Sequence, residues 1–567
     1  MASMSVKLTF TFCLSKHIGH HTTRMPEIVK DYRTIATEKK VQQQSKIPEE
    51  WLLPVGKYDG ASNFMDVPVT CGILNQLECD ITSNYDATAL LEKLKPGVWS
   101  AEQVTVAFCK RAAIAQQLCN CLTEIFFDEA IERARQLDEE RKADPSGKTL
   151  RPLHGLPISL KDSFQILGQD TSTGLACFVD EPAEKNSSLA ALLLDLGAVL
   201  YCKTNLPQII MTGDSDNNVF GRTLNPRNTA WTVGGSTGGE GALLALRGSV
   251  LGVGTDIAGS IRVPSVCNGL YGFRPSAGVV PHDGVRDLTV PGTGSVRSTA
   301  GPIATSLRDC SLFLKTIMEA ETWRYDSTVV SVPWRSLPAK KTLRIGLVED
   351  DGLYTPSPPV RRGLKEAADL LRKSDDIEVI PLILPKVRNI YKDLLQYFSL
   401  AGCENYHEML SRTGEPVIPS LQKLGLLSLP ATTFQGFFDL NVRRAEAAKT
   451  YLELFRDNEI DAIMMPPAAH TAVSLDTWDT ASYTGLWNYL DYPALVLPVG
   501  TVQESDSADE PSNAKYGAED SRLYNLYTGT EFYKDAPICV QLVGYRHLDE
   551  ALANAAAVVE SVINGQD

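Results

Sequence analysis

LHGLPISLKD at residues 153–162, followed at 187–202 by SSLAALLLDLGAVLYC, sets the texture of this chain. Residues 157–160 form a short apolar run, residues 187–196 an apolar stretch long enough for a buried helix, and residues 198–202 a second apolar run. Strand, helix, strand without polar alternation is the pattern of a sheet covered on both faces. The rhythm returns near Leu343, with a strand at 343–348, a helix at 360–371 and further strands at 462–465, 494–499 and 538–543. The expected fold class is therefore α/β: a mixed, largely parallel central sheet, drawing strands from both halves and covered by helices on both faces. Apolar residues at helical spacing over 105–118 and a Lys-, Gln- and Glu-rich segment from Met25 to Trp51 predict N-terminal helices on the surface of that body. Residues 503–522 are acidic and aperiodic, the composition of a long exposed loop. With no internal repeat and no linker, the expected division is an extension at 1–24, an N-terminal helical segment at 25–70 and one large domain at 71–567.

Composition excludes several functions. Of 567 residues, 43% are hydrophobic and 22% charged, enough to bury a large core without disulfides or metals. A net charge of −15 with no basic cluster argues against nucleic-acid binding. The most apolar windows, 189–201 and 241–254, are interrupted by Asp195 and Arg247 and are too short to span a bilayer, so no membrane span is expected. The twelve cysteines are scattered; Cys119 and Cys121 are close but do not form a C-x-x-C pair, so reduced, buried thiols and no metal site are expected. Residues 1–24 carry Lys7, Lys16 and Arg24 and no acid, a weak mitochondrial-type presequence pattern. The preferred expectation is a disordered extension on a cytoplasmic protein, with Met25 as an alternative start.

The chemistry concentrates in TVGGSTGGEGALLALRGSVLGVGTDIAGSIRVP, residues 232–264. Paired glycines around serines suit loops that bring backbone N–H groups and hydroxyls against a ligand. Three readings compete. A phosphate loop would need a Lys after Gly259, where Ser260 stands. A nucleophile elbow at Gly234-x-Ser236-x-Gly238, with His470 or His547 as base, would need a strand before it, but residues 225–231 are turn-rich. The third reading joins Ser236 and Ser260 to Lys161, which ends the buried run of 157–160. A lysine in a poorly solvated pocket loses its proton readily and serves as a general base.

Three blocks carry a resemblance: Gly155-Leu-Pro-Ile-Ser-Leu-Lys161-Asp162, Gly234-Gly-Ser236-Thr237-Gly-Gly-Glu240-Gly241, and Gly254-Thr255-Asp256-Ile257-Ala258-Gly259-Ser260-Ile261-Arg262-Val263-Pro264. Lys161 and Ser236 stand 75 residues apart, and Ser236 and Ser260 stand 24 apart. In these blocks the chain resembles the amidase-signature family over roughly residues 70–560. Ile47-Pro-Glu-Glu-Trp51 and Asn225-Pro-Arg-Asn228 make it look most like the fungal acetamidase and general amidase branch.

The resemblance implies hydrolysis of carboxylic amides with Ser260 as nucleophile, Ser236 as bridge and Lys161 as base, without metal or organic cofactor. It implies oxyanion and substrate contacts from the loop of Thr255, Ile257, Ala258, Gly259 and Ser260, and support from Asp256 and Arg262. The resemblance also covers Lys203-Thr-Asn-Leu-Pro-Gln208, Tyr483-Thr-Gly-Leu-Trp-Asn488 and Gln541-Leu-Val-Gly544, and it implies a catalytic core at about 150–285. Met211 and Thr212, with the residues up to Asp214 just beyond the matched 203–208 segment, are expected to line the pocket, as are residues near 483–487. Thr237 stands where serine is commoner, and Ala258 where glycine is commoner; a positive φ at Ala258 would strain the oxyanion loop. The expected partner is a small-molecule amide, and a homodimer is an option that the resemblance alone raises. Alternatives are a lipid amide hydrolase, an amidotransferase subunit acting on charged transfer RNA, and an inactive amidase-fold interaction protein.

Overall fold

The strands of this chain are short, apolar and often separated by long excursions, so fewer than half of the consecutive strands pair with each other. The computed structural model describes residues 30–565 except Ser295 and Ala339; the 1–24 extension lies outside the described residues. The strands are β1 (Leu122–Ile125), β2 (Pro157–Lys161), β3 (Val199–Thr204), β4 (Leu251–Asp256), β5 (Tyr271–Arg274), β6 (Thr299–Ala304), β7 (Leu343–Leu347), β8 (Ile377–Pro381), β9 (Ala462–Met465), β10 (Ala494–Thr501) and β11 (Pro537–Val543). They form one eleven-stranded sheet in the order β1-β3-β2-β4-β6-β5-β10-β11-β9-β7-β8.

Every residue of β2, β3, β4, β6, β9 and β11 is buried. Because side chains alternate across a strand, this requires cover on both faces. The sheet is α/β and mixed, as expected, but it is not largely parallel. β2 pairs in parallel with β3 and β4, and β7 with β8 and β9, whereas the six remaining pairings are antiparallel. The strand–helix–strand reading placed β2 and β3 of one parallel piece and β7 and β9 of the other, but not their parallel partners β4 and β8. It also did not reveal β1 or the antiparallel β5 and β6, which carry little helical rhythm between them.

The N-terminal helices are present, but they are not all surface helices. The helix Ala101–Cys119 starts at a Ser100–Gln103 capping box and is buried along most of its length, including Val104, Phe108, Ala112, Ala115 and Cys119. Its small residues let it pack closely beneath neighbouring helices. The 503–522 segment is mostly exposed, yet it ends in the helix Ala518–Tyr524. Buried Asp520 anchors this helix by accepting from Thr355 N at 2.6 Å and Tyr516 N at 2.9 Å. The eleven described cysteines are free thiols, and all but Cys71 and Cys79 are buried.

Candidate active site

Lys161 is the last residue of β2, flanked by β3 and β4 on either side, and its side chain is fully buried. Its Nζ donates to Ser236 Oγ at 2.7 Å and to Thr255 Oγ1 at 2.9 Å. Among the described residues no carboxylate reaches hydrogen-bond distance of that nitrogen. Burial therefore lowers the ammonium to a pKa of about 7, with the charges of Asp256, Glu240 and Asp162 opposing the shift. Thr255, expected on the substrate side, instead holds the lysine. His470 and His547 do not bond Ser236; His470 is buried, its Nδ1 lies 3.0 Å from the Thr471 carbonyl, and burial lowers its pKa to about 4.

Lys203, next to last in the neighbouring strand β3, is equally buried, but it has a different setting. It bonds the Asp170 carbonyl and Thr171 Oγ1 and pairs with Asp162 at 3.4 Å. Two adjacent strands thus carry buried lysines near their C-terminal ends, one paired with a carboxylate and one with hydroxyls alone.

Ser236 precedes the helix Gly238–Ala245, which presses onto β4 at two glycines. A Cβ at Gly254 would lie 2.7 Å from Thr237 Cγ2, and one at Gly252 would collide with Glu240 Oε2. The extra methyl of Thr237 therefore fills the space that Gly254 leaves empty. Glu240 was not recognised as a functional residue in the sequence. It lies one layer behind Lys161, accepting from Ser159 Oγ at 2.6 Å and Thr204 Oγ1 at 3.0 Å. Burial raises its carboxyl to a pKa of about 8 against those hydroxyls and Lys161.

Ser260 is half-buried at the end of the loop joining β4 to the helix Arg262–Asn268, and its hydroxyl has no hydrogen bond among the described residues. An ion pair shapes this loop. Arg262 Nε and Nη2 each donate to Asp256 at 3.1 Å, and burial, which would raise the Asp256 carboxyl, is outweighed chiefly by Arg262, leaving a pKa of about 2. Asp256 also accepts from Gly259 N at 2.8 Å and Ile261 N at 3.1 Å. Gly259 must accordingly be removed from the expected oxyanion donors, because its N–H is already turned back onto Asp256.

Ala258 has no positive φ; the left-handed position is Gly259, at φ +133°. The substitution of glycine by Ala258 therefore leaves the loop unstrained. Thr484 Oγ1 donates to the Ala258 carbonyl at 2.5 Å, and Asn488 both donates to Asp256 Oδ1 at 2.8 Å and accepts from Arg262 at 2.6 Å. Gln541 of β11 accepts from Arg262 at 3.3 Å. These three residues fall in sequence segments that match the resemblance, yet only their tertiary position shows what they hold. Tyr483 and Trp487 are core residues, so within 483–487 it is Thr484 whose side chain bonds the loop that carries Ser260.

Met211 is half-buried and Thr212 buried, with the Thr212 carbonyl pressed against Gly235, beside Ser236. Asp214 belongs instead to an ionic cluster, accepting from Arg222 at 2.6 Å and from Asp476 N at 2.8 Å.

Comparison with known proteins shows the family of the chain. Residues 103–553 match the amidase family. An amidase of Gibberella moniliformis is 37% identical over 94% of this chain and 99% of its own length. An acetamidase of Emericella nidulans is 36% identical over 94% and 98%. Among solved structures, a fatty acid amide hydrolase superposes with a TM-score of 0.88 at 30% identity, covering 95% of this chain and 97% of that one. The chain belongs to the amidase-signature family and is an amide hydrolase related to the fungal acetamidases. No helix of the described residues is long and apolar enough to cross a membrane.

Proposed function

We propose that this amidase cleaves its substrate through an acyl-enzyme on Ser260, with Ser236 as proton bridge and Lys161 as base. The observation that carries this reading is the buried Lys161 amine, near neutrality at pH 7 and 2.7 Å from Ser236 Oγ. The Ser260 hydroxyl attacks the amide carbonyl carbon, giving its proton to Ser236 as the Ser236 proton passes to the neutral amine. The oxyanion is met by backbone N–H groups of the Ile257–Ser260 turn, Gly259 excepted, each donor supplying about 3 kcal/mol. The relay then runs backwards: the Lys161 proton returns through Ser236 to the leaving nitrogen, the C–N bond breaks, and water hydrolyses the ester. Asp256 and Arg262 keep the turn in shape, and none of these steps calls on a metal or organic cofactor.

Short or aromatic amides are the favoured substrates, supported by the acetamidase relatives. A lipid amide is the second reading, supported by the fatty acid amide hydrolase structure and by the apolar cluster that packs against Ile257 on the loop. Hydrolysis of acetamide, benzamide, indoleacetamide and a long acyl amide separates the two. Ser260→Ala is expected to lower kcat by about 10⁶-fold, as for other serine nucleophiles, and to abolish fluorophosphonate labelling. Full activity in that variant would refute the mechanism, while an unlabelled, inert wild type would favour the interaction-protein alternative.

A further inference from the structure

Two consecutive β-branched residues, Ile209 and Ile210, lie in the left-handed region at φ +53° and +65°. A branched Cβ crowds the neighbouring carbonyl in that conformation, so such a turn persists only where its surroundings impose it. Here they do so from several directions. Gln208 is fully buried, and its N–H donates to the Asp216 carbonyl at 2.8 Å. Its side-chain amide donates to Glu415 Oε1 at 2.6 Å and to the Pro416 carbonyl at 3.0 Å, while its Oε1 accepts from Ile418 N at 3.0 Å. On the opposite side Gly174 comes so close that a Cβ there would stand 2.8 Å from the Pro207 carbonyl.

Glu415 is itself unusual. It is a buried carboxylate whose bonds come from neutral donors alone, namely Ala176 N at 2.8 Å, Gln208 at 2.6 Å and Asn218 at 3.2 Å. Burying a carboxylate without a cation is costly, and the chain carries that cost about 200 residues away from the turn it holds. Beyond the turn come half-buried Met211 and then Thr212, whose carbonyl abuts Gly235 next to Ser236. The clamp thus reaches the catalytic loops through three residues of chain.

We propose that the Gln208–Glu415 clamp, acting through the left-handed turn at Ile209–Ile210, positions the substrate-facing wall beside Ser236 and so sets the size of group admitted to Ser260. Glu415 and Gln208 are positioning residues in this assignment, which rests on Ser260 being the nucleophile. Ile209→Gly and Ile210→Gly remove the steric need for the clamp while keeping the backbone able to adopt the turn. Glu415→Gln keeps the shape of the clamp but places an amide donor against donors, and the exchange Gln208→Glu with Glu415→Gln restores one complementary bond between the two.

The test compares rates of Ser260 labelling by a short alkyl fluorophosphonate and by a naphthyl-bearing one, alongside the thermal midpoint of each variant. The glycine variants and Glu415→Gln are expected to change the naphthyl-to-alkyl rate ratio about tenfold, a typical effect of altered pocket fit. Ile209→Gly also removes a core side chain and should lower the midpoint, so the half-buried Ile210→Gly, which loses less packing, is the variant on which the ratio decides, and the exchanged pair should move the ratio back toward wild type. An unchanged ratio in the folded glycine variants overturns this inference and leaves the amidase mechanism standing. A wild type that no fluorophosphonate labels at Ser260 overturns both.

Discussion

At the scale of the residue, the decisive contrast is between Lys161 and Lys203. Both lie at or next to the C-terminal end of a buried strand, but only Lys203 has a carboxylate within ion-pair distance. Lys161 is driven toward its neutral form by burial, to a pKa of about 7. Two outcomes follow from the sign of that shift. First, kcat/KM of the wild type should rise with pH through about 7, because the free amine is the base in the proposed mechanism. Second, the unfolded chain holds the lysine proton up to about pH 10.5, so the folded state binds fewer protons between 7 and 10.5. Lys161 therefore opposes folding most strongly below pH 7, and this opposition fades as pH rises toward 10.5. Denaturant unfolding of Lys161→Met should show a stability gain over wild type that is larger at pH 6 than at pH 10, together with lost activity. A gain independent of pH would mean that the lysine is not titrating inside the protein.

At the scale of the element, the β4–helix turn is held both by bonds within residues 256–262 and by Thr484, Asn488 and Gln541 from distant segments. Asp256 and Arg262 are both fully buried and share Asn488 as donor and acceptor. Removing one member of a buried pair strands the other charge, so Arg262→Met is expected to destabilise the protein by about 3–5 kcal/mol. Asn488→Ala leaves a smaller deficit, about 1–3 kcal/mol. Both should reduce kcat, because Gly259 and Ile261 take their orientation from the same carboxylate. Unfolding curves and turnover of the two variants check this; an Arg262→Met enzyme with wild-type kcat would show that the loop keeps its shape without the ion pair.

At the scale of the whole molecule, the N-terminal helix Tyr32–Gln44 is tied to the catalytic end of the sheet. Its Lys39 is buried and pairs with Glu124 of β1 at 2.9 Å and Asp170 at 2.7 Å, and the Asp170 carbonyl in turn accepts from Lys203. Burial raises Glu124 to a pKa of about 7 even with Lys39 beside it. Lys39→Met should therefore cost about 3–5 kcal/mol at pH 8 and less at pH 5, where the carboxyl of Glu124 is protonated at little cost. A penalty equal at the two pH values would place the loss in packing rather than in charge.

Much of the molecule was legible in the chain itself. The apolar runs at 157–160, 198–202 and 538–543 announced β2, β3 and β11, because a strand covered on both faces has no polar position to disguise it. The order of Lys161, Ser236 and Ser260 in three dense Gly/Ser blocks pointed to the amidase family, since close backbone approach at Gly252 and Gly254 leaves a local mark in composition. What only the tertiary structure decided was which groups meet across the chain. Sequence assigned Gly259 to the oxyanion and Thr255 to the substrate, but the fold turns the first onto Asp256 and the second onto Lys161. Glu240, Asn488, Gln541 and Glu415 carried no motif that stated their duties, because each acts through a hydrogen bond to a distant segment, and direction in space is not written in local spacing. The antiparallel centre of the sheet was hidden for the same reason: pairing sense depends on where the chain returns, not on what the strand contains.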